Sequence, residues 1–338
     1  MNVTIIGDGA MATVAALILA DNGHTVRLWG YFREAIDQMR QTRQSGRFLP
    51  GVNIPPQVRL TADDDKAFLD ADIIVSAVPT QFIRNVYSRL KPYCPPGVPV
   101  VSTSKGIENT TLLRPTQILV DVLDGSAGVA RPVAALSGPS IAPEVARRLP
   151  TTVAVAATDP ALAATVQSIF STPYFRVYTN PDLLGVELGG AVKNVVAIAA
   201  GILDGLGAGD NAKAALLTRG LVEITRLGVA MGARRDTFAG LAGLGDLVTT
   251  CVSPVGRNRS FGEAVGKGHK PEEVLQSMAG VVEGVATTRS VVELARNLNV
   301  EMPITEGVYA VLFQDKDVTA AISDLMQRAP KCEDAEWA

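Results

Sequence analysis

Apolar, β-branched runs alternate with amphipathic stretches along the first 180 residues of the chain. The runs have the length and composition of buried strands. Several of them are separated by stretches in which apolar positions recur at helical spacing. This order predicts parallel strands joined by crossover helices, and therefore a doubly wound α/β sheet. The predicted strands are Val3–Ile6, Val26–Trp29, Ile73–Ala77, Val98–Ser102, Val133–Leu136, Thr152–Ala156 and Phe175–Tyr178.

The strand pattern stops after Pro181. From Leu184 to Gln327 apolar positions recur at helical spacing, and glycine-rich or charged stretches mark the loops. We therefore predict an all-α C-terminal domain, with one domain at 1–180 and the second at 181–330. The predicted loops are Gly205–Gly209, Gly240–Gly245, Ser253–Arg259 and Gly266–Lys270.

The segment from Leu188 to Leu203 carries a single charge, Lys193. An ammonium group taken out of water is unfavourable unless it is paired or deprotonated, so this lysine is a candidate for chemistry. Gly189 and Gly190 leave room beside it for another backbone or a flat ligand. The alternative is a lysine whose stem packs on apolar surface while its head reaches water. We expect this helix to be too short, and interrupted by Lys-Asn, to span a bilayer.

Composition argues against several function classes. The chain has 31 Lys and Arg against 34 Asp and Glu, so no basic field exists for nucleic acid or for insertion at an anionic membrane. With only 2 histidines, a His-centred triad or a metal site is not expected. The cysteines are too far apart for a CxxC pair and fit a reduced, cytoplasmic setting. They are Cys94, Cys251 and Cys332.

A short strand, a Gly-x-Gly turn and a long helix follow one another at the N-terminus, in the segment Gly7-Asp8-Gly9-Ala10-Met11-Ala12. Glycines at these positions let the backbone turn tightly and approach a pyrophosphate, which the N-terminus of the following helix stabilises. The context favours dinucleotide binding on a Rossmann-type sheet over a structural turn. Ala12 stands where a third glycine usually lies.

The second predicted strand ends without an acidic residue that could hold a ribose 2′-hydroxyl. Arg33 could meet a 2′-phosphate instead, and Tyr31 or Phe32 could stack on adenine. NADP is therefore at least as well supported as NAD. The alternative is that Arg33 is a solvated charge in the first turn of a helix.

Three loops follow predicted strands at the carboxyl edge of the sheet, where ligands bind in such folds. They are Ala77–Phe82, Ser102–Glu108 and Ser137–Ala142. Lys105 in the second loop can reach a carbonyl or phosphate, and Ser140 in the third is predicted to cap a helix. Each loop alone could be an ordinary βα connection, but together they predict a pocket.

The second domain carries further polar groups. Asp210 is expected to cap a helix. Asp246 and Thr250 are four residues apart, so their side chains should share one helix face. Arg257 and Asn258 offer a guanidinium and an amide near a helix start, which suits a phosphate monoester, although such a loop standing alone is more often solvated surface.

Together these segments resemble the bacterial NAD(P)-dependent glycerol-3-phosphate dehydrogenase family, from Val3 to about Val311. The most specific are Ser104–Glu108, Ser137–Ser140, Gly185–Asn194, Gly209–Ala215, Gly243–Leu247 and Arg257–Arg259. The chain departs from the family pattern at Ala10-Met11-Ala12, where Ser-Trp-Gly is usual, and at Gly256, where Ser is usual.

The resemblance implies a role for each site residue. Lys193 would be the general acid/base and Lys105 would bind both substrate and cofactor. The other residues implied for the substrate are Gly138, Ser140, Asp246, Gly256, Arg257 and Asn258. Those for the cofactor, NAD or NADP, are Gly7, Gly9, Ala10, Met11, Tyr31, Phe32, Arg33, Ala142, Arg257, Val281 and Glu283.

The implied reaction is the reversible reduction of dihydroxyacetone phosphate to sn-glycerol 3-phosphate, which supplies phospholipid synthesis. A nearby ammonium suits it, because reduction develops negative charge on the carbonyl oxygen. Lys105 would lower the pKa of Lys193 and Asp246 would oppose this, so the sequence leaves the net value open. The chain is expected to work without a metal, on a small-molecule substrate, with a homodimer as the candidate assembly. A ketopantoate or β-hydroxyacid reductase and a non-catalytic nucleotide sensor remain the alternatives.

Overall fold

The computed structural model describes residues 1–125, 131–330 and 332–333. The chain divides into two compact units. Unit 1 comprises Met1–Ser104 and Leu113–Val186. Unit 2 comprises Lys105–Leu112 and the chain from Glu187 onward.

Unit 1 is built on an eight-stranded sheet with the order β10-β9-β8-β7-β6-β1-β2-β5. All seven predicted strands are present, which confirms the α/β class. The short edge strand β5 was not predicted, because its three residues are too few to show a pattern. The small hairpin of β3 and β4 was not predicted either, because Pro50 and Gly51 break the apolar alternation in β4. The strands are β1 (Asn2–Ile6), β2 (Thr25–Trp29), β3 (Gln44–Ser45), β4 (Leu49–Asn53), β5 (Arg59–Thr61), β6 (Ile73–Ser76), β7 (Val100–Ser102), β8 (Val133–Ser137), β9 (Thr151–Ala157) and β10 (Phe175–Asn180).

The prediction of parallel strands is wrong at one pair, because β8 and β9 are antiparallel. The connection between them holds one helix of five residues, Ala142–Ala146. Such a helix rises only about 7 Å, too little to cross back over a strand of five to seven residues, which spans about 17 Å or more. The chain therefore re-enters the sheet at the edge it left, which makes the next strand antiparallel.

Helices cover both faces of the sheet, as the doubly wound class requires. Neighbouring residues of β1 point to opposite sides: Ile5 packs in one core with Ile18 and Val166, whereas Ile6 packs in the other with Ile83 and Ile118. All six are essentially inaccessible to solvent. The helices of unit 1 are α1 (Ala10–Asp21), α2 (Arg33–Thr42), α3 (Thr80–Leu90), α4 (Pro115–Leu123), α5 (Ala142–Ala146) and α6 (Pro160–Phe170).

In the part of unit 2 that the structure describes, every regular element is helical, which confirms the all-α prediction. Two predicted loops are corrected: Leu241–Gly245 forms a π-helical turn, and Arg257–Arg259 begins a helix. The helices are α7 (Leu183–Leu206), whose first residues belong to unit 1, α8 (Gly209–Ala230), α9 (Arg235–Phe238), α10 (Asp246–Val252), α11 (Arg257–Gly266), α12 (Pro271–Ser277), α13 (Glu283–Asn297), α14 (Pro303–Phe313) and α15 (Val318–Met326).

The expectation that the helix around Lys193 is too short to span a bilayer is wrong. α7 has 24 residues and, by length and composition alone, is long and apolar enough to cross a membrane. Its most apolar window is entirely buried within the protein, however, as the core helix of a globular domain would be. The helix extends at both ends beyond the segment Leu188–Leu203, in which Lys193 is the lone charge. Before its first residue, Asp182 accepts a hydrogen bond from the Gly185 backbone at 2.9 Å.

The segment Lys105–Leu112 lies with unit 2, although the predicted boundary placed it in the first domain. The side chain of Asn194 donates to the Lys105 carbonyl at 3.0 Å, and the Ser290 hydroxyl donates to the Ile107 carbonyl at 2.9 Å. These contacts join residues far apart in sequence, which local patterns do not reveal. They place Lys105 among the helices of unit 2.

Candidate active site

The Gly-x-Gly turn in unit 1 has the geometry of a phosphate cradle. Gly7 has φ +128°, and a Cβ there would lie 2.8 Å from the Ala77 carbonyl oxygen, so only glycine fits. Gly9 is the N-cap of α1, and no side chain of the described chain caps the helix there. A Cβ at Gly9 would meet nothing within 4 Å. The open N-terminus of α1, which begins Ala10-Met11, can therefore receive an anion.

Tyr31, Phe32 and Arg33 lie between β2 and the first turn of α2, all three exposed. The Arg33 guanidinium is ion-paired with Asp63 at 2.6 Å, and Asp63 also accepts from Lys66 at 2.9 Å. These two cations hold the pKa of Asp63 at about 2. The sequence did not reveal Asp63, which reaches Arg33 from beyond the neighbouring strand β5.

Gly138, Ser140 and Ala142 follow β8 in unit 1. A Cβ at Gly138 would lie 2.9 Å from the Val153 Cα, and its φ is +142°, so glycine is required. The predicted capping role of Ser140 is wrong: its hydroxyl donates to the Gly138 carbonyl at 3.0 Å, and Ile141 is the N-cap of α5. The side chain therefore stabilises the turn rather than the helix. Ala142 is the first residue of α5.

In unit 2, a single carboxylate joins the two candidate lysines. Asp246, the first residue of α10, accepts a hydrogen bond from the Lys193 ammonium on Oδ1. Its other oxygen, Oδ2, accepts from the Lys105 ammonium at 2.6 Å. The side chains of Lys193 and Asp246 are 6% and 2% exposed, and that of Lys105 is 14% exposed. Three ionised groups with a net charge of +1 are thus held together out of bulk water.

Thr250 completes the surroundings of the Lys193 ammonium. Its hydroxyl oxygen lies 2.5 Å from the Lys193 Nζ and 3.3 Å from the Asp246 Oδ1. The predicted sharing of one helix face by Asp246 and Thr250 is confirmed by this contact. Because Lys193 has two oxygen partners, its ammonium has one fixed direction in the site.

Burial and charge act in opposite directions on these groups. Burial, together with the charge of Lys105, lowers the pKa of Lys193 to about 8, against the raising effect of Asp246. Burial raises the pKa of Asp246, but the two ammonium groups outweigh this and hold it below its usual range. The site therefore contains an ionised carboxylate and a lysine that can exchange its proton near neutral pH.

Close packing of glycines fixes the helix that carries Lys193. A Cβ at Gly201 of α7 would lie 2.0 Å from the Arg259 carbonyl oxygen, and one at Gly262 of α11 would lie 2.0 Å from the Ile198 carbonyl oxygen. The two backbones therefore touch where α7 and α11 cross. The room left by Gly189, predicted from the sequence, is taken by the Ala242 carbonyl, 2.6 Å from the position of its absent Cβ.

The predicted phosphate residues differ in their surroundings. Arg257 is exposed, and its guanidinium makes no hydrogen bond or ion pair with the described part of the chain. The Asn258 amide is buried: it donates to the Asn194 side-chain oxygen at 2.9 Å and accepts from the Gly284 backbone at 2.9 Å. Both residues begin α11, whose N-cap is Gly256.

Asn258 thus belongs to a relay of amides that the sequence did not indicate. The relay runs from the Gly284 backbone through Asn258 to Asn194, whose own amide group donates to the Lys105 carbonyl. Asn194 follows Lys193 directly in the sequence, and a polar residue on that apolar helix was the available signal. Val281 and Glu283 precede Gly284 at the start of α13.

Comparison with known proteins gives concordant results. Residues 2–163 match the family described as the NAD-dependent glycerol-3-phosphate dehydrogenase N-terminus, and residues 182–323 match the C-terminus of the same enzymes. A glycerol-3-phosphate dehydrogenase (NAD(P)+) of Geobacter sulfurreducens is 50% identical over 97% of this chain and 98% of its own length. One of Bacillus pumilus is 49% identical over 96% and 94%, respectively.

Among solved structures, the glycerol-3-phosphate dehydrogenase of Coxiella burnetii superposes with a TM-score of 0.92 at 38% identity, covering 97% of this chain and 99% of its own. A Rossmann-type sheet with a Gly-x-Gly turn, followed by a helical unit with a buried, acid-paired lysine, defines an NAD(P)-dependent dehydrogenase. The matches extend over nearly the whole chain. The chain belongs to the NAD(P)-dependent glycerol-3-phosphate dehydrogenase family.

Proposed function

We propose that this enzyme reversibly reduces the C2 carbonyl of dihydroxyacetone phosphate to sn-glycerol 3-phosphate, with NADH or NADPH. The observation that carries the proposal is the buried cluster of Lys193, Asp246 and Lys105, joined by the two oxygens of one carboxylate. A carbonyl oxygen that becomes negative during reduction needs a proton donor and a positive environment, and this cluster supplies both.

The residues of unit 1 fit a dinucleotide, because the open N-terminus of α1 and the glycine at position 7 provide an anion cradle. Gly7, Gly9, Ala10 and Met11 would hold the pyrophosphate, and Tyr31, Phe32 and Arg33 would lie toward the adenosine. When bound, the reduced nicotinamide supplies the hydride that the carbonyl carbon accepts. We further assign Lys105, Ala142, Arg257, Val281 and Glu283 to cofactor binding, on the family resemblance.

Lys193 is the proposed general acid. With a pKa of about 8 it is mostly protonated at neutral pH, so it can donate a proton to the developing alkoxide. Asp246 Oδ1 and Thr250 Oγ1 fix the direction of its ammonium. In the reverse reaction the neutral amine of Lys193 takes the hydroxyl proton.

Lys105 and Asp246 prepare the site for this transfer. Lys105 adds a second positive charge, and Asp246 keeps both ammonium groups in place without cancelling the net charge. A substrate oxygen would therefore meet preorganised donors rather than solvent. The Asn258–Asn194 relay holds the backbone of Lys105, so we assign Asn258 a positioning role beside its implied contact with substrate.

Arg257 is the proposed phosphate ligand. Its guanidinium is uncommitted in the described structure, and it stands in the first turn of α11, whose backbone N–H groups also attract anions. Gly256 would allow the phosphate to approach that helix end. Gly138 and Ser140 complete the substrate assignment, on the family resemblance. Binding the phosphate would hold the reacting carbonyl in place.

We also propose that unit 1 is the dinucleotide-binding domain and unit 2 the catalytic domain. The free cysteines Cys94, Cys251 and Cys332 support a cytoplasmic enzyme. Its product would enter phospholipid synthesis, and a homodimer is the assembly we propose.

The direct test is a steady-state comparison of NADH and NADPH oxidation with dihydroxyacetone phosphate, dihydroxyacetone and ketopantoate. We expect turnover with dihydroxyacetone phosphate and a large preference for it over dihydroxyacetone. Turnover of ketopantoate in preference to the phosphorylated ketone would contradict the proposed substrate. Nucleotide binding without oxidation over any carbonyl compound would contradict the proposed reaction.

A further inference from the structure

Asp8, between the two glycines of the cofactor turn, lies beside the end of β2. Its Oδ2 is 2.9 Å from the point at which a Cβ of residue 30 would stand. Residue 30 is glycine and follows directly on Trp29, the last residue of β2. The carboxylate of Asp8 therefore lies where a side chain at the end of β2 would begin.

Two backbone hydrogen bonds fix this arrangement. The Gly7 N–H donates to the Trp29 carbonyl at 2.8 Å, and the Gly30 N–H donates to the Thr61 carbonyl at 3.0 Å. A side chain at position 30 would require the Ile36 side chain to move as well, because its Cβ would lie 2.4 Å from the Ile36 Cδ1. The position that an acidic side chain at the end of β2 would take is thus occupied by the Asp8 carboxylate, which reaches it from the turn after β1.

The surroundings of Asp8 leave its carboxylate available for a ligand. Burial raises its pKa, while its own backbone N–H and the charge of Arg47 act in the opposite direction. Among the described residues, no side chain donates a hydrogen bond to it. The nearby cation suited to a 2′-phosphate, Arg33, is already ion-paired with Asp63, which Lys66 also contacts.

In Rossmann-type domains, the acid at the end of the second strand accepts a hydrogen bond from the adenosine ribose 2′-hydroxyl and disfavours a 2′-phosphate. We propose that Asp8 performs this function here, so that the enzyme prefers NADH to NADPH. This inference rests on the proposed cofactor site at Gly7–Met11. It goes beyond that site by naming the residue that selects between the two cofactors.

The test is equilibrium binding, which does not depend on turnover. The dissociation constants of NADH and NADPH would be measured by fluorescence titration, and those of 5′-AMP and adenosine 2′,5′-bisphosphate by calorimetry. The proteins compared are the wild type, Asp8→Asn, Asp8→Ala and the control Asp65→Asn, which removes an exposed carboxylate of the same unit. Thermal unfolding would establish that each variant is folded.

We expect the wild type to bind NADH at least about tenfold more tightly than NADPH, and both Asp8 variants to lose at least about tenfold of that preference, as for a hydrogen bond to a charged group. The adenosine compounds should show the same change, and Asp65→Asn should not. A wild type that prefers NADPH, or a preference that both Asp8 variants retain, would overturn the role of Asp8. Failure of the wild type to bind either dinucleotide would instead contradict the proposed function itself.

Discussion

Asp246 and Lys193 form a buried ion pair in which the lysine ammonium donates to the carboxylate Oδ1. They lie 53 residues apart in the sequence, on α10 and α7. The pair keeps a proton-donating group inside an apolar domain, in one orientation, with a pKa near the pH at which a cell operates.

Replacing Lys193 with Met should remove the acid without unfolding the enzyme, because Lys105 still pairs with Asp246. We expect kcat to fall by at least about 100-fold, the lower range for loss of a positioned acid. The control is Lys267→Met, which removes an exposed lysine paired with Glu263 on the surface of unit 2. Near-normal kcat in a folded Lys193→Met enzyme would show that the lysine only packs in the core.

The pH profile should report Lys193 directly. Burial lowers its pKa from 10.5 to about 8, so the protonated acid is lost as the pH rises through about 8. The kcat/KM for ketone reduction should therefore fall above pH 8, whereas that for glycerol 3-phosphate oxidation should rise. Asp246→Asn removes a group that raises this pKa, and should move the inflection to lower pH. An inflection at the same pH in that variant would exclude Lys193 as its source.

Arg257→Ala should separate phosphate recognition from the rest of the site. We expect kcat/KM for dihydroxyacetone phosphate to fall by a factor that corresponds to at least about 2–3 kcal/mol of lost transition-state stabilisation. The kcat/KM for dihydroxyacetone should change little. Lys270→Ala, at an exposed position of the same unit, is the control for charge alone. Equal losses for both ketones would contradict the role of Arg257 as the phosphate ligand and leave it only its contact with the cofactor or a role in the loop.

We expect Arg33 to be able to contact a 2′-phosphate, even though Asp63 competes for its guanidinium. Arg33→Ala should weaken NADPH by at least about threefold more than NADH, a size suited to an exposed charge contact. Asp63→Asn should do the reverse, because it releases the guanidinium. Binding titrations beside Arg176→Ala, an exposed arginine elsewhere in unit 1, would measure both effects. Parallel losses for the two cofactors in Arg33→Ala would leave only adenine stacking or surface charge.

The crossing of α7 and α11 should tolerate no side chain at Gly201. A Cβ there would lie 2.0 Å from the Arg259 carbonyl oxygen, so Gly201→Ala should lower the free energy of unfolding by about 1–3 kcal/mol or more. The control is Gly307→Ala in α14, where a Cβ would meet only the Leu325 Cδ1 at 4.0 Å and alanine favours the helix. Denaturant titration would show equal stability for both variants if the close packing were unimportant.

The sequence by itself determined the features that depend on neighbouring residues. Apolar runs predicted the strands, Gly7 and Gly9 predicted the turn before α1, and the lone charge on an apolar segment identified Lys193. The four-residue spacing of Asp246 and Thr250 correctly placed both on one helix face. Each of these follows from backbone periodicity or from the cost of burying a charge, which act over a few residues.

Only the tertiary structure decided which distant residues meet. It joined Lys105 to unit 2, made β9 antiparallel to β8, and committed the Asn258 amide to Asn194 and Gly284. It also paired Arg33 with Asp63 and brought Asp8 to the end of β2. These contacts join parts of the chain whose spacing carries no local signal. They arise because packing fixes where each backbone runs, and buried polar groups then take the partners that lie within reach.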